Sequence, residues 1–182
     1  MKKLIIILGA NGIGKSTAGI ELMHILPNSA FIDSDSLRMM NPPGNSAELI
    51  KIQKSNILAV MSNYFVSDMI ENVIFPYGIH GHRKQMLEEI ISSISENFKV
   101  EIFKIVLMCS EAENIRRMKL DNRDEERIKR ALMFSRPAYD QIDHLKLDIT
   151  ELTPKEAALD IINALNLKVS INISTKILTN KL

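Results

Sequence analysis

The segment from Gly9 to Thr17 constrains the fold more than any other part of this sequence. It reads Gly-Ala-Asn-Gly-Ile-Gly-Lys-Ser-Thr, follows the unbroken apolar run 4–8, and precedes a segment whose apolar residues recur at helical spacing. A strand, a glycine-rich turn and a helix in this order surround a phosphate group with backbone N–H groups at a helix N-terminus. We therefore predict a phosphate-binding loop that holds a nucleoside triphosphate.

The residues of this loop have separate predicted roles. Glycines permit positive φ angles and a close approach of backbone to phosphate, Lys15 reaches the phosphates as a point charge, and the hydroxyl of Ser16 binds Mg²⁺. Lys15 is also predicted to be catalytic. The predicted nucleotide-binding set in the loop is Gly9, Asn11, Gly12, Ile13, Gly14, Lys15, Ser16 and Thr17.

Two other interpretations of the loop are a turn without a ligand and a dinucleotide-binding turn. The second needs the pattern G-x-G-x-x-G, which is absent here. Neither explains a lysine at the start of a helix, where its charge opposes the helix dipole unless an anion is bound.

Composition limits the remaining possibilities. A chain of 182 residues suits one domain with a sizeable core. The near balance of 23 Lys+Arg against 22 Asp+Glu gives no overall attraction to nucleic acid or to membranes, so we expect neither as a partner. The single cysteine, Cys109, excludes an internal disulfide, and no apolar segment approaches membrane-spanning length. We expect a cytoplasmic protein that is a monomer or a homodimer.

Strand-like and helix-like segments alternate along the chain. Four further apolar runs, 29–33, 72–75, 100–108 and 145–149, predict strands. Ser46 is a helix cap, capping boxes at 110–113 and 153–156 start two more helices, and the residues 76–78 predict a loop after the third strand. The alternation predicts an α/β three-layer sandwich around a five-stranded parallel sheet with right-handed crossovers.

The sequence divides into one nucleotide-binding domain and a short tail. The domain spans 1–166, and within it the charge-rich segment of about 119–136, where the apolar pattern thins, is predicted to be a mobile lid. The tail, 167–182, is predicted to be disordered or to add an edge strand.

Two aspartates follow the second predicted strand, at the sheet edge where open α/β proteins bind ligands. We predict that Asp35 orients or deprotonates an acceptor hydroxyl, and that Asp33 lies nearer the metal, with both lining the substrate site. The alternative is that Asp35 only caps the short helical segment 36–40. Arg38 is predicted to hold an anionic or hydroxylated part of the acceptor, and its alternative is a solvated helix residue.

Three arginines of the lid are spaced for one helix face. Arg123, Arg127 and Arg130 fall at i, i+4 and i+7, so a helix would turn all three toward bound phosphates. We predict that Arg123 binds the nucleotide, Arg127 is catalytic and Arg130 contacts the substrate. The alternative is a solvated helix whose acidic neighbours pair with these arginines for about 0.2 to 0.5 kcal/mol each.

Two histidines and the cysteine carry weaker signals. His80 and His82 flank Gly81, and a lone H-x-H is a weak metal signal, so we interpret both as loop or helix-start residues. Cys109, at the end of the fourth predicted strand, is interpreted as a small buried residue.

The chain resembles the small P-loop kinases over residues 1–165. The resemblance rests on Gly9-x-x-x-x-Gly-Lys15-Ser16, on Asp33-Ser-Asp35-Ser-Leu-Arg38 and on the arginine-rich lid. This superfamily includes nucleoside monophosphate, shikimate and gluconate kinases and the kinase domain of polynucleotide kinases. The acid pair is similar to that of shikimate kinases, where it serves metal and acceptor, although the glycine triplet of those enzymes is absent. The spacing Asp35-x-x-Arg38 is similar to adenylate and polynucleotide kinases, where the arginine contacts acceptor phosphate.

The resemblance implies a P-loop NTPase fold with a mobile lid, and ATP and Mg²⁺ as cofactors. We expect transfer of the γ-phosphoryl group to a small metabolite or nucleotide-like acceptor. The alternatives are a nucleotide-binding switch or slow ATPase that acts through a protein partner, and a polynucleotide 5′-hydroxyl kinase. Signatures of the N-K-x-D and L-S-G-G-Q types are absent, which argues against a GTPase and a transporter ATPase.

Overall fold

A computed structural model describes residues 1–167 and contains a five-stranded sheet with helices on both faces. All neighbouring strands are parallel, in the spatial order β2-β3-β1-β4-β5. The strands are β1 (Lys2–Gly9), β2 (Ser29–Phe31), β3 (Asn72–Tyr77), β4 (Val100–Met108) and β5 (Leu145–Asp148). The helices are α1 (Lys15–Ile25), α2 (Ala47–Val66), α3 (Arg83–Asn97), α4 (Glu111–Leu120), α5 (Glu125–Arg130) and α6 (Pro154–Ala164). The predicted fold class is confirmed, whereas the prediction for the tail lies outside the described residues.

Strand β1 is the centre of the fold. A strand with helices on both faces must be apolar on both faces, which is why the run 4–8 does not alternate with polar residues. Leu4, Ile6 and Leu8 pack into a core with α2 and α3, whereas Ile5 and Ile7 pack into a second core with α1 and α6. Each of these five side chains is 2% exposed or less.

The connections reverse direction at β1. The chain leaves β1 through α1 toward β2 on one side, and it later crosses from β3 to β4 on the other side of β1. Such a reversal opens a crevice at the carboxyl ends of the strands, where ligands of open α/β sheets bind. The glycine-rich loop lies at this point.

The predicted helix caps are confirmed at two sites and half-formed at a third. The side chains of Ser46 and Thr153 each accept a hydrogen bond from the first turn of their helix, and Thr153 completes a capping box with Glu156. Ser110 accepts from the backbone N–H of Glu113 at 3.2 Å. The Glu113 carboxylate does not reach back, because it pairs with two arginines of α4, and the backbone N–H of Ser110 instead donates to Thr150.

The loop predicted from Pro76 is wrong, because β3 continues through Tyr77. The backbone of Ile74 faces β2 and accepts from Ile32 at 3.0 Å, so Pro76, two residues later, faces the same side. Strand β2 has already ended at Phe31 there. The missing N–H of Pro76 therefore breaks no sheet hydrogen bond, and proline is tolerated inside a central strand.

None of the helices among residues 1–167 combines the length and apolarity that crossing a membrane requires. The longest of them, α2, carries exposed polar residues along one face, as expected for a helix with one side in water.

The segment that follows the lid is attached to the carboxyl edge of the sheet by Tyr139. This side chain is fully buried, and its hydroxyl accepts a hydrogen bond from the backbone N–H of Ile79 at 3.0 Å. Burial raises the pKa of the phenol, so the hydroxyl stays protonated and neutral at physiological pH.

We expect Tyr139→Phe to lower the free energy of unfolding by about 1–3 kcal/mol, because the buried N–H of Ile79 loses its acceptor. Chemical denaturation measures the change. Tyr64→Phe is the matched control, since no hydrogen bond of the Tyr64 hydroxyl is found in the described chain and the side chain is only half-buried. Equal stability of the two variants contradicts the assigned role.

Candidate functional site

The glycine-rich loop has the conformation that its sequence predicted. Gly12 and Gly14 have φ angles of 75° and 105°, in the region that side chains rarely adopt, and Gly14 immediately precedes α1. A Cβ atom on Gly12 would lie 2.2 Å from Cγ of the buried Met118. Neither glycine therefore accepts a side chain without displacement of the loop or of α4.

Helix α4 holds two carbonyl groups of the loop. Asn114 donates from Nδ2 to the carbonyl oxygen of Asn11 at 3.1 Å, and Arg117 donates from Nη1 to that of Ile13 at 2.7 Å. Because these carbonyls are bonded to α4, the loop is free to present N–H groups to an anion. Ser135, at the end of the lid segment, accepts from the backbone N–H of Asn11 at 3.0 Å.

Lys15 lies in a cation-rich part of the cleft. Its ammonium donates to the carbonyl oxygen of Ala10 at 2.8 Å. Burial, and then the positive charges of Arg83 and Arg123, lower the pKa of Lys15 to about 7, whereas Asp35 acts in the opposite direction. An oxyanion placed here would be attracted by three positive side chains and would favour the charged form of the lysine.

Two cavities adjoin the loop. The smaller, of about 140 Å³, is lined by the loop, the acidic segment after β2 and the residues after β3; among its side chains are those of Lys15, Ser16, Asp33, Asp35, His80, Arg83 and Arg123. The larger, of about 580 Å³, lies between the end of α4 and residues 149–154. Arg117 connects α4 to the other wall of the larger cavity, because its Nη2 donates to the carbonyl oxygen of Ile149 at 2.7 Å.

The capping role considered for Asp35 belongs instead to Asp33. Asp33 accepts from the backbone N–H of Asp35 at 3.0 Å and from the Ser36 hydroxyl at 2.5 Å, so Asp33 fixes the start of the short 3₁₀ turn. Asp35 makes no capping hydrogen bond, and its side chain is 77% exposed. Its Oδ1 lies 3.5 Å from Nη1 of Arg83 and 3.8 Å from Nη1 of Arg38. The side chain of Asp35 therefore does not stabilise the backbone of this turn.

Arg83 is the residue of this cleft that sequence reasoning missed. It is the first residue of α3, it is 7% exposed, and its guanidinium lies 4.4 Å from the centre of the Tyr77 ring. A cation in the first turn of a helix opposes the helix dipole. The same argument singled out Lys15, and applied to Arg83 it indicates a second anion site.

The side chains of His80 and His82 lie in different environments. His80 lines the smaller cavity, and burial followed by the charge of Arg83 lowers its pKa, which favours the neutral imidazole. His82 is exposed at the start of α3, as its interpretation as a helix-start residue predicted. Cys109 is buried, as expected, and burial raises the pKa of its thiol.

The shared face predicted for the lid arginines is wrong. Asp124 accepts from the backbone N–H of Arg127 at 2.8 Å and so starts α5 after Arg123, which lies outside the helix. Arg123 reaches the smaller cavity. Arg127 and Arg130 are more than 60% exposed and face Asp124 and Glu126, as the alternative of a solvated helix predicted.

The site fits a magnesium ion held mainly by a bound nucleotide. Ser16 and Asp33 line the same cavity as Lys15. Residues 1–167 contain no group of three His, Cys, Asp or Glu side chains placed to hold a metal. Mg²⁺ bound to phosphates needs only one or two protein oxygens, because waters complete its octahedron.

No protein-family model matches the chain, and no curated protein matches it by sequence. Solved structures match it over nearly its full length. A gluconokinase from Sinorhizobium meliloti has a TM-score of 0.60 at 15% identity, covering 90% of this chain and 91% of that chain. An APS kinase from Mycobacterium tuberculosis, in complex with AMPPNP and APS, has a TM-score of 0.59 at 15% identity, covering 91% and 98%. A fungal RNA kinase has a TM-score of 0.55 at 20% identity, covering 90% and 83%.

These neighbours confirm the fold that the resemblance predicted. All three are named as kinases, and this chain has the fold that they share, as expected for the predicted P-loop NTPase fold. Their identities of 15% to 20% establish the fold alone, and the three names refer to different acceptors. The acceptor of this protein must therefore be inferred from its own residues.

The ion pairs that orient Arg117 lead to a prediction about acid stability. Hydrogen bonds from Arg116 and then from Arg117 hold the pKa of Glu113 at about 2, below its ordinary value of 4.5. A depressed pKa stabilises the fold above the ordinary value, and the stabilisation disappears as pH falls from about 4.5 toward 2. We expect Glu113→Gln to destabilise the protein at neutral pH and to approach wild-type stability near pH 2.

Denaturant unfolding at several pH values measures this difference. Glu111→Gln is the matched control, because Glu111 lies in the same first turn of α4 but has no ion pair within residues 1–167. If the difference in free energy of unfolding between Glu113→Gln and wild type does not change with pH, the prediction is wrong.

Proposed function

We propose that this protein is an ATP- and Mg²⁺-dependent kinase that transfers the γ-phosphoryl group to a small acceptor. The observation that carries the proposal is the smaller cavity. It joins Lys15 and Ser16 of the phosphate loop to Asp35 and Arg83 of other segments. A nucleotide-binding switch needs only the first pair, whereas phosphoryl transfer needs both a phosphate cradle and a group that orients an acceptor.

The larger cavity suits the nucleoside of ATP. It opens beside Gly12 and Thr17, so a triphosphate on the loop would reach into it, and Arg117 and Leu120 form one of its walls. We propose that the base lies there and that the γ-phosphate enters the smaller cavity. The AMPPNP complex of the APS kinase, a protein of the same fold, supports ATP as the nucleotide.

Five side chains of the smaller cavity then have chemical roles. Lys15 and Arg123 contact the phosphates and stabilise the charge that develops on the transferred group. Ser16 and Asp33 hold Mg²⁺, which when bound neutralises charge on the phosphate oxygens. Asp35 orients the acceptor hydroxyl and takes its proton as the acceptor oxygen bonds to the γ-phosphorus and the bond to ADP breaks. Neutral His80 lies beside them and adds no further positive charge.

The proposal is tested by ADP release in the presence of a panel of acceptors: sugars and sugar acids, small hydroxy acids, nucleosides and their monophosphates, and a 5′-hydroxyl oligonucleotide. We expect one class to stimulate release. Stimulation by the oligonucleotide alone identifies a polynucleotide kinase. Calorimetric ATP binding without stimulation by any member, together with nucleotide-dependent capture of a protein partner, favours the switch.

Two substitutions separate binding from transfer. We expect Lys15→Ala to lose ATP binding and turnover, and Asp35→Asn to keep ATP affinity while the transfer rate falls about 10²- to 10⁴-fold. Asp68→Asn, an exposed aspartate that follows α2 at the opposite end of the sheet, is the control with the same chemical change. Normal transfer by Asp35→Asn would remove Asp35 from the mechanism.

The lid arginines provide a third comparison. We expect Arg123→Ala to reduce the transfer rate about 10³-fold or more, as loss of an arginine from the moving phosphoryl group does. Arg127→Ala should change the rate much less, because its guanidinium is exposed and pairs with Asp124. A larger loss in Arg127→Ala than in Arg123→Ala, measured as kcat with saturating ATP, restores Arg127 as the catalytic arginine of the sequence prediction.

A further inference from the structure

Arg83 is a buried cation that lacks a matching anion. Its Nη2 donates to the Ser34 hydroxyl at 3.2 Å, but its Nε has no hydrogen-bond partner in the described structure. Among residues 1–167, the carboxylate within ion-pair distance is that of Asp35, 3.5 Å away. Burial of a charge is costly unless the charge is paired and hydrogen-bonded. The position therefore favours an anion better placed than Asp35.

Asp35 is a weak counter-ion because two arginines share one of its oxygens. Oδ1 lies near both Arg83 and Arg38, at distances above 3.4 Å, and the carboxylate is largely in water. Water screens the charge of so exposed a carboxylate, so both ion pairs hold Asp35 weakly. Replacement of Asp35 by an incoming oxyanion at the two guanidinium groups would therefore cost little free energy.

We infer that the acceptor carries a carboxylate or phosphate group in addition to its reacting hydroxyl, and that this group takes Arg83 and Arg38 away from Asp35. The inference rests on the proposed function. A guanidinium binds either oxyanion through two parallel hydrogen bonds. The released carboxylate of Asp35 then accepts a hydrogen bond from the acceptor hydroxyl and receives its proton during transfer. Acceptor binding thereby activates the base.

Binding of simple anions tests the exchange. Inorganic phosphate in one arm and glycolate in the other are titrated by calorimetry into protein saturated with Mg²⁺ and AMPPNP, so that the phosphate loop is already filled. We expect at least one anion to bind and Arg83→Gln to weaken it about tenfold or more, the value of a charge-assisted hydrogen bond. Lys84→Gln is the matched control, because Lys84 is the exposed neighbour of Arg83 outside the smaller cavity.

Asp35→Asn is the more decisive variant, because we expect it to strengthen anion binding, whereas Arg83→Gln should weaken it. Removal of the competing carboxylate should tighten anion binding about twofold to fivefold, whereas a purely structural ion pair predicts no gain. Because Asp35 is exposed, this variant decides the question if Arg83→Gln does not fold. Unchanged or weaker anion binding in Asp35→Asn, or equal affinity in wild type and Arg83→Gln, overturns the inference.

A second arm identifies the acceptor class and separates the two proposals. Glycerol, glycerate and glycerol phosphate share a hydroxyl and differ in charge, and we expect ADP release only with a charged member. Equal stimulation by glycerol contradicts the inference and leaves the kinase proposal intact. If AMPPNP fails to bind, the kinase proposal fails, and the anion titrations are repeated on nucleotide-free Lys15→Ala, where a tenfold loss on adding Arg83→Gln still supports the anion site.

Discussion

A loop presents its backbone amides to a phosphate most readily when its carbonyl groups are turned away and bonded elsewhere. In this protein α4 supplies that support, because Asn114 and Arg117 bond to the carbonyls of Asn11 and Ile13. Arg117 is fixed in turn by Glu113 and by the carbonyl group of Ile149, the residue that follows β5. The loop is therefore shaped by a helix that lies about a hundred residues away in the sequence, and its binding geometry depends on the folding of the whole domain.

The sequence predicted the parts of the fold that follow local rules. A run that is apolar on both faces, as in residues 4–8, occurs in strands covered by helices on both sides, and Ser46 and Thr153 cap helices through contacts within one turn. The predictions were wrong where a contact with another residue, outside the local pattern, determined the structure. Pro76 remains in β3 because β2 ends early, and the carboxylate of Glu113 serves Arg116 and Arg117 instead of completing a capping box.

The sequence likewise predicted some residues of the candidate site and missed others. The phosphate loop and the acid pair could be found because their spacing is itself the signal, and both line the smaller cavity. Arg83 was missed because its burial depends on Tyr77 and Ser34, which no local pattern links to it. The lid arginines were misjudged because helical spacing was counted through Asp124, a residue that begins a helix instead of continuing one.

Both ends of the lid are attached to the phosphate loop. Met118 and Arg117 touch the loop before the lid begins, and Ser135 bonds to it where the lid ends. The intervening chain, in which Ile128 and Ala131 pack back onto Met118, therefore forms a loop closed at both ends by the folded domain. Doubling such a loop costs only about 0.6 kcal/mol in closure entropy, so evolution can lengthen or replace this segment to suit a new substrate without rebuilding the phosphate cradle.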